Sequence, residues 1–332
     1  MEREVKLQQG LEDAAATPSS RGHAREVAPG LAYMLDRIVN LYFVGEPGAG
    51  DGEWALVDAG MAGSAPIIAA AAEERFGSRP AAIVLTHCHF DHVGALETLA
   101  RRWDVPVYAH PLELPYITGR ASYPPADPTV GGGGVAFMSR TFPRGPWNVG
   151  ARATPLPEDG TVPGMPGWHW VPAAGHSPGQ VAFFRESDRA LIAADAFVTT
   201  KQESLSAALT QRREMHGPPA YFTQDWDQAR TTVQRLAALR PSLVATGHGV
   251  PMRGDAMLRA LDELAANFDE LALPKHGRYV EQPAVFDERG VVSVPPPVPD
   301  TLARTLVGVA AVAAAGYAFS RMRGHRDTEL KM

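Results

Sequence analysis

Residues 86–94, THCHFDHVG, place five good metal-binding side chains within six positions: His87, Cys88, His89, Asp91 and His92. The run before them, AAIVLT at 81–86, is apolar and predicts a buried strand. The run after them, VGALETLARRW at 93–103, has the spacing of a helix. The stretch therefore predicts a metal site at the point where a strand passes into a helix.

The five side chains are not equivalent. Side chains alternate along a strand, so His87 and His89 point one way and Cys88 points the other. We expect Cys88 to pack into the core as a small hydrophobe, while Asp91 and His92 lie at the helix entry. Since zinc takes about four ligands, two histidines cannot complete a site. The missing ligands must come from elsewhere in the chain.

Three further candidates follow predicted strands. They are His176 in AGHSPGQ, Asp195 in LIAADAF and His248 in ATGHGVP. A single histidine in such a place is more often a structural group, but strand ends are also where functional side chains concentrate. The ordered set of HxHxDH, histidine, aspartate and histidine predicts one shared site.

Together, THCHFDH, GHSPG, the strand-end aspartate and GHG resemble the metallo-β-lactamase superfamily over roughly residues 30–255. The resemblance implies an α/β (α+β) fold, an αββα four-layer sandwich. It implies that one metal binds His87, His89 and His176, a second binds Asp91, His92 and His248, and Asp195 bridges both. It further implies that Asp58, in VDAG, holds the ligand loop by hydrogen bonds. His110 is not expected to be a ligand.

The implied cofactor is a pair of zinc ions, although iron and manganese accept the same ligands. The implied reaction is hydrolysis of a small ester, lactone or thioester by a metal-bridging hydroxide, with Asp91 as the catalytic residue that handles the proton. Two alternatives stay open. One is an oxidoreductase similar to mononuclear iron persulfide dioxygenases, and the other is a non-hydrolytic member that binds metal or a partner.

Departures from the family pattern narrow the range of expected substrates. Classical metallo-β-lactamases of the commonest subclass carry a cysteine where this chain has Asp195, and the other subclasses lack this bridging carboxylate, so β-lactam hydrolysis is not expected as the main activity. Lactonases of the family usually carry a tyrosine three residues later, where this chain has Val198. Tyr221 or Tyr116 would have to replace it. The basic residues by which glyoxalase II enzymes hold glutathione are not matched.

Composition shifts divide the chain into segments. We predict a polar N-terminal tail at 1–26, a metallo-β-lactamase-like domain at 27–273 with a lid or substrate loop at 111–165, a proline-rich linker at 274–300, and an apolar helix with a basic tail at 301–332. The apolar run at 306–319 is a candidate membrane anchor, although it is short for a bilayer span.

Net charge and cysteine content limit the classes of partner and the cellular compartment that can be expected. The net charge is −6 and no stripe of lysine or arginine stands out, so a small-molecule substrate is expected and a nucleic-acid partner is not. The one cysteine excludes an intrachain disulfide and fits a reducing compartment. With no export signal, the expected location is the cytoplasm, with membrane association through 306–319 as the alternative. Nothing predicts the oligomeric state.

Overall fold

A computed structural model describes residues 22–299, and those up to Pro296 belong to one compact unit. The strands are β1 Arg25–Ala28, β2 Leu31–Asp36, β3 Val39–Val44, β4 Ala55–Val57, β5 Ala82–Val84, β6 Val107–Ala109, β7 Ala153–Pro155, β8 Trp168–Pro172, β9 Val181–Arg185, β10 Ala190–Ala194, β11 Leu243–Thr246, β12 Met252–Arg253, β13 Val285–Asp287 and β14 Gly290–Ser293. The α-helices are α1 Ala65–Phe76, α2 Phe90–Val93, α3 Leu96–Trp103, α4 Leu114–Ile117, α5 Gly134–Met138, α6 Leu205–Thr210, α7 Trp226–Ala238, α8 Gly254–Ala266 and α9 Phe268–Leu271.

Two sheets lie at the centre of this unit. The first has the order β1-β2-β3-β4-β5-β6-β7, and the second has the order β12-β11-β10-β9-β8. In the first sheet, β1 to β4 pair antiparallel and β4 to β7 pair parallel. In the second, β10 and β11 are parallel and the other pairs are antiparallel.

The inner faces of the two sheets share one apolar core. It joins Tyr33 and Tyr42 of the first sheet to Phe183 and Ile192 of the second. Both faces of the central strands are covered, so every residue of β2, β3 and β10 is buried. These strands are therefore largely apolar, apart from Asp36 and Asn40, and lack the alternation expected of a strand with one wet face.

The outer faces of the sheets are covered by helices. On the first sheet, one core includes Ile68 of α1 and Leu99 of α3. On the second sheet, another includes Val233 of α7 and Leu261 of α8. The layers are thus helix, sheet, sheet and helix, which confirms the predicted αββα sandwich.

The helix predicted at 93–103 is interrupted at Gly94, which separates α2 from α3. The Gly94 amide donates to the Gly60 carbonyl at 2.7 Å, and a Cβ at Gly94 would overlap the backbone of Met61 and Ala62. The break lets α2 turn close to the loop after β4. As a result, Asp91 and His92 stand on a short helix of their own.

The segment at 111–165 contains more regular structure than a loop. It includes α4 and α5, and its β7 pairs with β6 at the edge of the first sheet. Tyr116 and Tyr123 are buried in it with their rings stacked, centroids 3.9 Å apart. Apolar contact with the first sheet, which composition alone does not reveal, orders this segment.

The C-terminal part of the unit differs from the predicted linker at 274–300. β13 and β14 form a hairpin there, and Tyr279 is buried against the second outer core. The Tyr279 hydroxyl donates to the Pro125 carbonyl at 2.6 Å. The segment therefore packs on the domain, because its apolar side chains outweigh the extended tendency of its prolines.

The predicted tail up to residue 21 and the apolar run at 306–319 lie outside the described residues. Among residues 22–299, no helix is both long and apolar enough to cross a bilayer.

Candidate metal centre

The loop after β5 is held by Asp58, which stands just beyond β4. Its Oδ1 accepts from the Thr86 amide and its Oδ2 from the Thr86 hydroxyl, both at 2.8 Å. The same Oδ2 lies 2.8 Å from Nδ1 of His92. Asp58 itself has a left-handed backbone, with φ of 61°. One buried carboxylate thus orients both ends of the histidine-rich loop.

All seven predicted ligands come together and all are buried. Their ligand atoms fall within 4.8 Å of one another in three groups: His87, His89 and His176; His87, His92 and Asp195; and Asp91, His92 and His248. Because the groups share His87 and His92, they form one continuous centre.

Asp195 lies in the middle of this centre. Its Oδ2 lies 3.2 Å from Nε2 of His248, 3.4 Å from Nε2 of His176 and 3.6 Å from Nε2 of His92. Nε2 of His248 also lies 3.5 Å from Oδ2 of Asp91. Asp195 therefore reaches histidines from all three groups and from both sheets.

The donor set fits metal ions. Nε2 of His87 and Oδ1 of Asp195 are buried without a hydrogen-bond partner among residues 22–299. Buried polar atoms are nearly always satisfied, so these two atoms fit a site for a cation. Nδ1 of His89 lies 3.0 Å from Nε2 of His176. Two nitrogens bound to one tetrahedral zinc would lie about 3.3 Å apart.

The imidazoles are also held from outside the centre. Nδ1 of His248 lies 2.6 Å from the Ile38 carbonyl oxygen, and Nδ1 of His176 lies 3.1 Å from the Thr223 hydroxyl. Such partners orient metal-binding rings and raise their basicity. They leave Nε2 of His248 and Nε2 of His176 directed toward Asp195.

Electrostatics divides the histidines into two groups. Burial and the neighbouring imidazoles lower the pKa of His87 and His89 well below its ordinary value, and burial lowers the pKa of His176 to about 4. These three are neutral, which is the form that binds metal. For His92 and His248, burial lowers the pKa, but the neighbouring carboxylates, Asp195 foremost, together outweigh it, so the pKa is raised. Cations and protons compete for these two rings.

Burial and the neighbouring imidazoles also shift the pKa values of the carboxylates. Burial would raise the pKa of Asp195, but His248 and His92 outweigh it and hold the pKa well below its ordinary value. Burial raises the pKa of Asp91, whose charge His92 and His248 only partly offset. The surrounding charges thus favour the ionised form of Asp195 more strongly than that of Asp91.

Close packing around Asp195 depends on a glycine. A Cβ at Gly247 would overlap Oδ1 of Asp195 and come within 2.8 Å of Cε1 of His92. Gly247 precedes His248 and follows β11, so the GHG motif supplies a ligand and the space for its neighbour.

Cys88 is fully buried in the first outer core, as predicted from strand alternation. His110 lies outside the three ligand groups; its Nδ1 accepts from the Leu112 amide at 3.3 Å. Both residues stay apart from the metal-binding positions, in line with the sequence analysis.

Aromatic rings line one side of the centre. Phe222 stacks on His89 with ring centroids 4.4 Å apart, and Tyr123 lies 4.5 Å away on the same imidazole. Tyr221 is buried, and burial and Asp91 raise its pKa well above the ordinary value. By contrast, Phe137 and Met138 are exposed on α5. Sequence reasoning did not single out Phe222, because nothing in its local pattern marks it.

The comparisons agree with this geometry. The family model described as the metallo-beta-lactamase superfamily matches residues 34–248. A protein named probable metallo-hydrolase YflN, from Bacillus subtilis (strain 168), is 44% identical over 246 residues, covering 74% of this chain and 93% of its own length. A hydroxyacylglutathione hydrolase from Xanthomonas oryzae pv. oryzae (strain MAFF 311018) is 49% identical over 55 residues, covering 17% of this chain and 20% of its own.

Among solved structures, a beta-lactamase domain protein from Burkholderia ambifaria shares the fold. Its TM-score is 0.54 at 21% identity, covering 77% of this chain and 79% of that one. The match to the family model takes in all seven clustered histidines and aspartates and most strands of both central sheets. The chain belongs to the metallo-beta-lactamase superfamily.

Proposed function

We propose that this protein is a dinuclear zinc hydrolase that cleaves a small ester, lactone or thioester. The observation that carries the proposal is the position of Asp195, whose Oδ2 lies within 3.6 Å of three histidine nitrogens. In this proposal His87, His89 and His176 would hold one ion, and Asp91, His92 and His248 would hold the other. Asp195 lies within reach of histidines from both sets. The relative named as a probable metallo-hydrolase supports hydrolysis as the reaction type.

The charge balance favours two cations. Asp91, Asp195 and Asp58 are buried carboxylates within one small region. Uncompensated charges in a protein interior are costly, so a region with several acids and no buried lysine or arginine of its own calls for bound cations. One divalent ion would offset at most two of these three charges and would leave the second ligand group unfilled.

Bound divalent ions supply a water of lowered pKa as nucleophile and a Lewis acid for the carbonyl oxygen. The protein's own residues do the rest. Asp91, with its raised pKa, accepts the proton of the nucleophile at a carboxylate oxygen and returns it to the leaving group. Asp58 fixes the ring of His92, so the centre stays rigid during turnover.

The aromatic side chains beside the centre favour a small acyl substrate. Phe222 and Tyr123 form an apolar side against His89, which suits an uncharged acyl group and excludes water. The relative named hydroxyacylglutathione hydrolase acts, by its name, on an acyl compound, and this favours the thioester within the three substrate classes. The bridging aspartate argues against β-lactam hydrolysis as the main activity.

A turnover panel tests the proposal. Zinc-loaded protein would be offered lactones, aryl esters, thioesters, a phosphodiester and a cephalosporin, with His89→Ala and Asp195→Ala as controls. We expect one acyl class to be cleaved and both variants to lose at least about a hundredfold in kcat/KM. Parent protein that cleaves no acyl compound, or variants as active as the parent, would refute it. Oxygen uptake with a persulfide by iron-loaded protein would favour the oxidoreductase alternative instead.

A further inference from the structure

A buried acid outside the ligand set lies between the two ligand loops of the three-histidine group. Glu113 ends a short 3₁₀ turn, Pro111–Glu113, soon after β6, and its side chain is fully buried. It is not one of the clustered ligands. Its two carboxylate oxygens face different segments of the chain, and each segment carries metal-binding histidines.

The first oxygen holds the loop after β5. Oε2 of Glu113 accepts from the Cys88 amide at 3.1 Å, and Cys88 stands between His87 and His89. The Tyr123 hydroxyl, whose ring packs on His89, donates to the same oxygen. One oxygen thus fixes both the backbone of the HxH pair and an aromatic neighbour of one imidazole.

The second oxygen holds the loop between β8 and β9. Oε1 of Glu113 accepts from the Ser177 hydroxyl at 2.9 Å and from the Gly179 amide at 2.8 Å. Ser177 directly follows His176. A Cβ at Gly179 would lie 2.9 Å from Cγ of Glu113 and 2.8 Å from Nδ1 of His110. The glycine therefore allows the close approach that these hydrogen bonds need.

The chemistry of the contacts requires a carboxylate. Four donors converge on two oxygens, and only an ionised acid accepts at both oxygens without offering a donor. An amide of the same shape would present an NH₂ group to one pair of donors. One of the two loops would then lose its anchor and the buried donors there would be unsatisfied.

We infer that Glu113 is a positioning residue that ties the His87–His89 loop to the His176 loop and so preassembles the three-histidine group for its metal. This inference rests on the proposed function, because it assumes that the three histidines bind an ion. It assigns to the segment at 111–165 a part in building the centre itself, in addition to any wall or lid it forms.

The test is metal affinity at pH 8, measured by zinc titration against a competing chelator and by the absorption spectrum of the cobalt-loaded protein. For Glu113→Gln we expect one metal equivalent to weaken by about 10- to 100-fold while the other stays as in the parent. In a His176→Ala background the same substitution should cause no further loss. In a His248→Ala background its effect should persist in full.

A matched control is Asp127→Asn. Asp127 is also a buried acid that joins two segments through backbone amides, those of Thr129 and Arg278, but it contacts neither ligand loop. We expect it to bind both metals like the parent. Equal weakening in Asp127→Asn and Glu113→Gln would overturn the inference, since the effect would then be general.

A second variant covers the case in which Glu113→Gln fails to fold. Gly179→Ala keeps the acid but pushes it away, and it should weaken the same metal equivalent. Parent-like titration of the folded Glu113 variant, or of Gly179→Ala in its place, refutes the positioning role while leaving the proposed function intact. Parent protein that binds no metal would instead overturn the proposed function and this inference with it.

Discussion

Oδ2 of Asp58 lies 2.8 Å from Nδ1 of His92 and 2.8 Å from the Thr86 hydroxyl, so this one oxygen serves both ends of the ligand loop. We expect Asp58→Asn to weaken metal binding by about 10- to 100-fold, because an amide satisfies only part of this set. The loss should fall on the equivalent held by Asp91, His92 and His248. Zinc titration against a chelator would measure it.

Asp36→Asn provides the control for that experiment. Asp36 is equally buried and accepts from the Met61 amide at 2.8 Å, but it contacts no ligand. Its metal affinity should stay within about twofold of the parent. Similar losses in the two variants would mean that Asp58 contributes only to loop stability.

Gly247→Ala should disrupt the centre without removing any ligand. The added methyl group would overlap Oδ1 of Asp195, and neither the backbone of β11 nor the buried carboxylate has room to yield. We expect loss of at least one metal equivalent, visible by elemental analysis after gel filtration. Gly134→Ala, whose Cβ would meet Leu205 at an ordinary 3.4 Å, should retain full metal content. Full metal content in the Gly247 variant would contradict the geometry described for Asp195.

Trp54→Ala should separate stability from metal binding. Trp54 is fully buried in the first outer core, stacked on Phe76 at 4.2 Å and edge-on to Trp103 at 5.8 Å. Removing so large a core side chain costs about 3–5 kcal/mol of unfolding free energy. Urea denaturation should show this loss, while metal affinity of the folded variant stays unchanged. Trp147→Ala, at a half-buried position, should cost less.

Glu113 predicts a specific pH dependence. Burial raises its pKa from the ordinary 4.5 to about 7. Between these values the folded protein keeps a proton that the unfolded chain has released, so the free energy of unfolding falls as pH rises. The stabilisation is complete below pH 4.5 and lost above 7, a change on the order of 3 kcal/mol. Burial also raises the pKa of Cys88 and Tyr116, which keeps both neutral here.

Comparison of metal-free parent and Glu113→Gln by urea denaturation would reveal this dependence. Both proteins carry the same histidines, so their shared titrations cancel in the difference. Between pH 5 and pH 8 the parent should lose more stability than the variant. Parallel curves would show that Glu113 does not change its charge across this range.

The seven side chains that cluster in the candidate centre could be found from sequence because each is a chemically distinctive residue near the end of a strand. His176, Asp195 and His248 needed only strand ends and an ordered motif to be found. Glu113 could not be predicted in the same way. Its partners are 25, 10 and 66 residues away along the chain, and no local pattern marks such contacts.

Other differences have the same origin. The break at Gly94 results from the approach of Met61 and Ala62, and the ordering of Tyr279 results from contact with Pro125. The local sequence predicts a continuous helix at 93–103 and an extended linker at 274–300. In both segments, tertiary contacts override the local preference. The four-layer arrangement could be predicted because the motifs resemble those of the superfamily, whose fold suits the mixture of strands and helices in the sequence.

The centre draws His87, His89, Asp91 and His92 from loops of the first sheet and His176, Asp195 and His248 from loops of the second. Backbone contacts already join the sheets beside it: the Asn40 amide donates to the Gly247 carbonyl at 2.7 Å, and the Tyr42 hydroxyl to that of Thr246 at 2.6 Å. An ion bound here is therefore a crosslink between the two halves of the chain. Neither half carries a complete ligand set, so metal uptake should report that the halves have docked in register. Metal binding would then depend on the correct folding of both sheets.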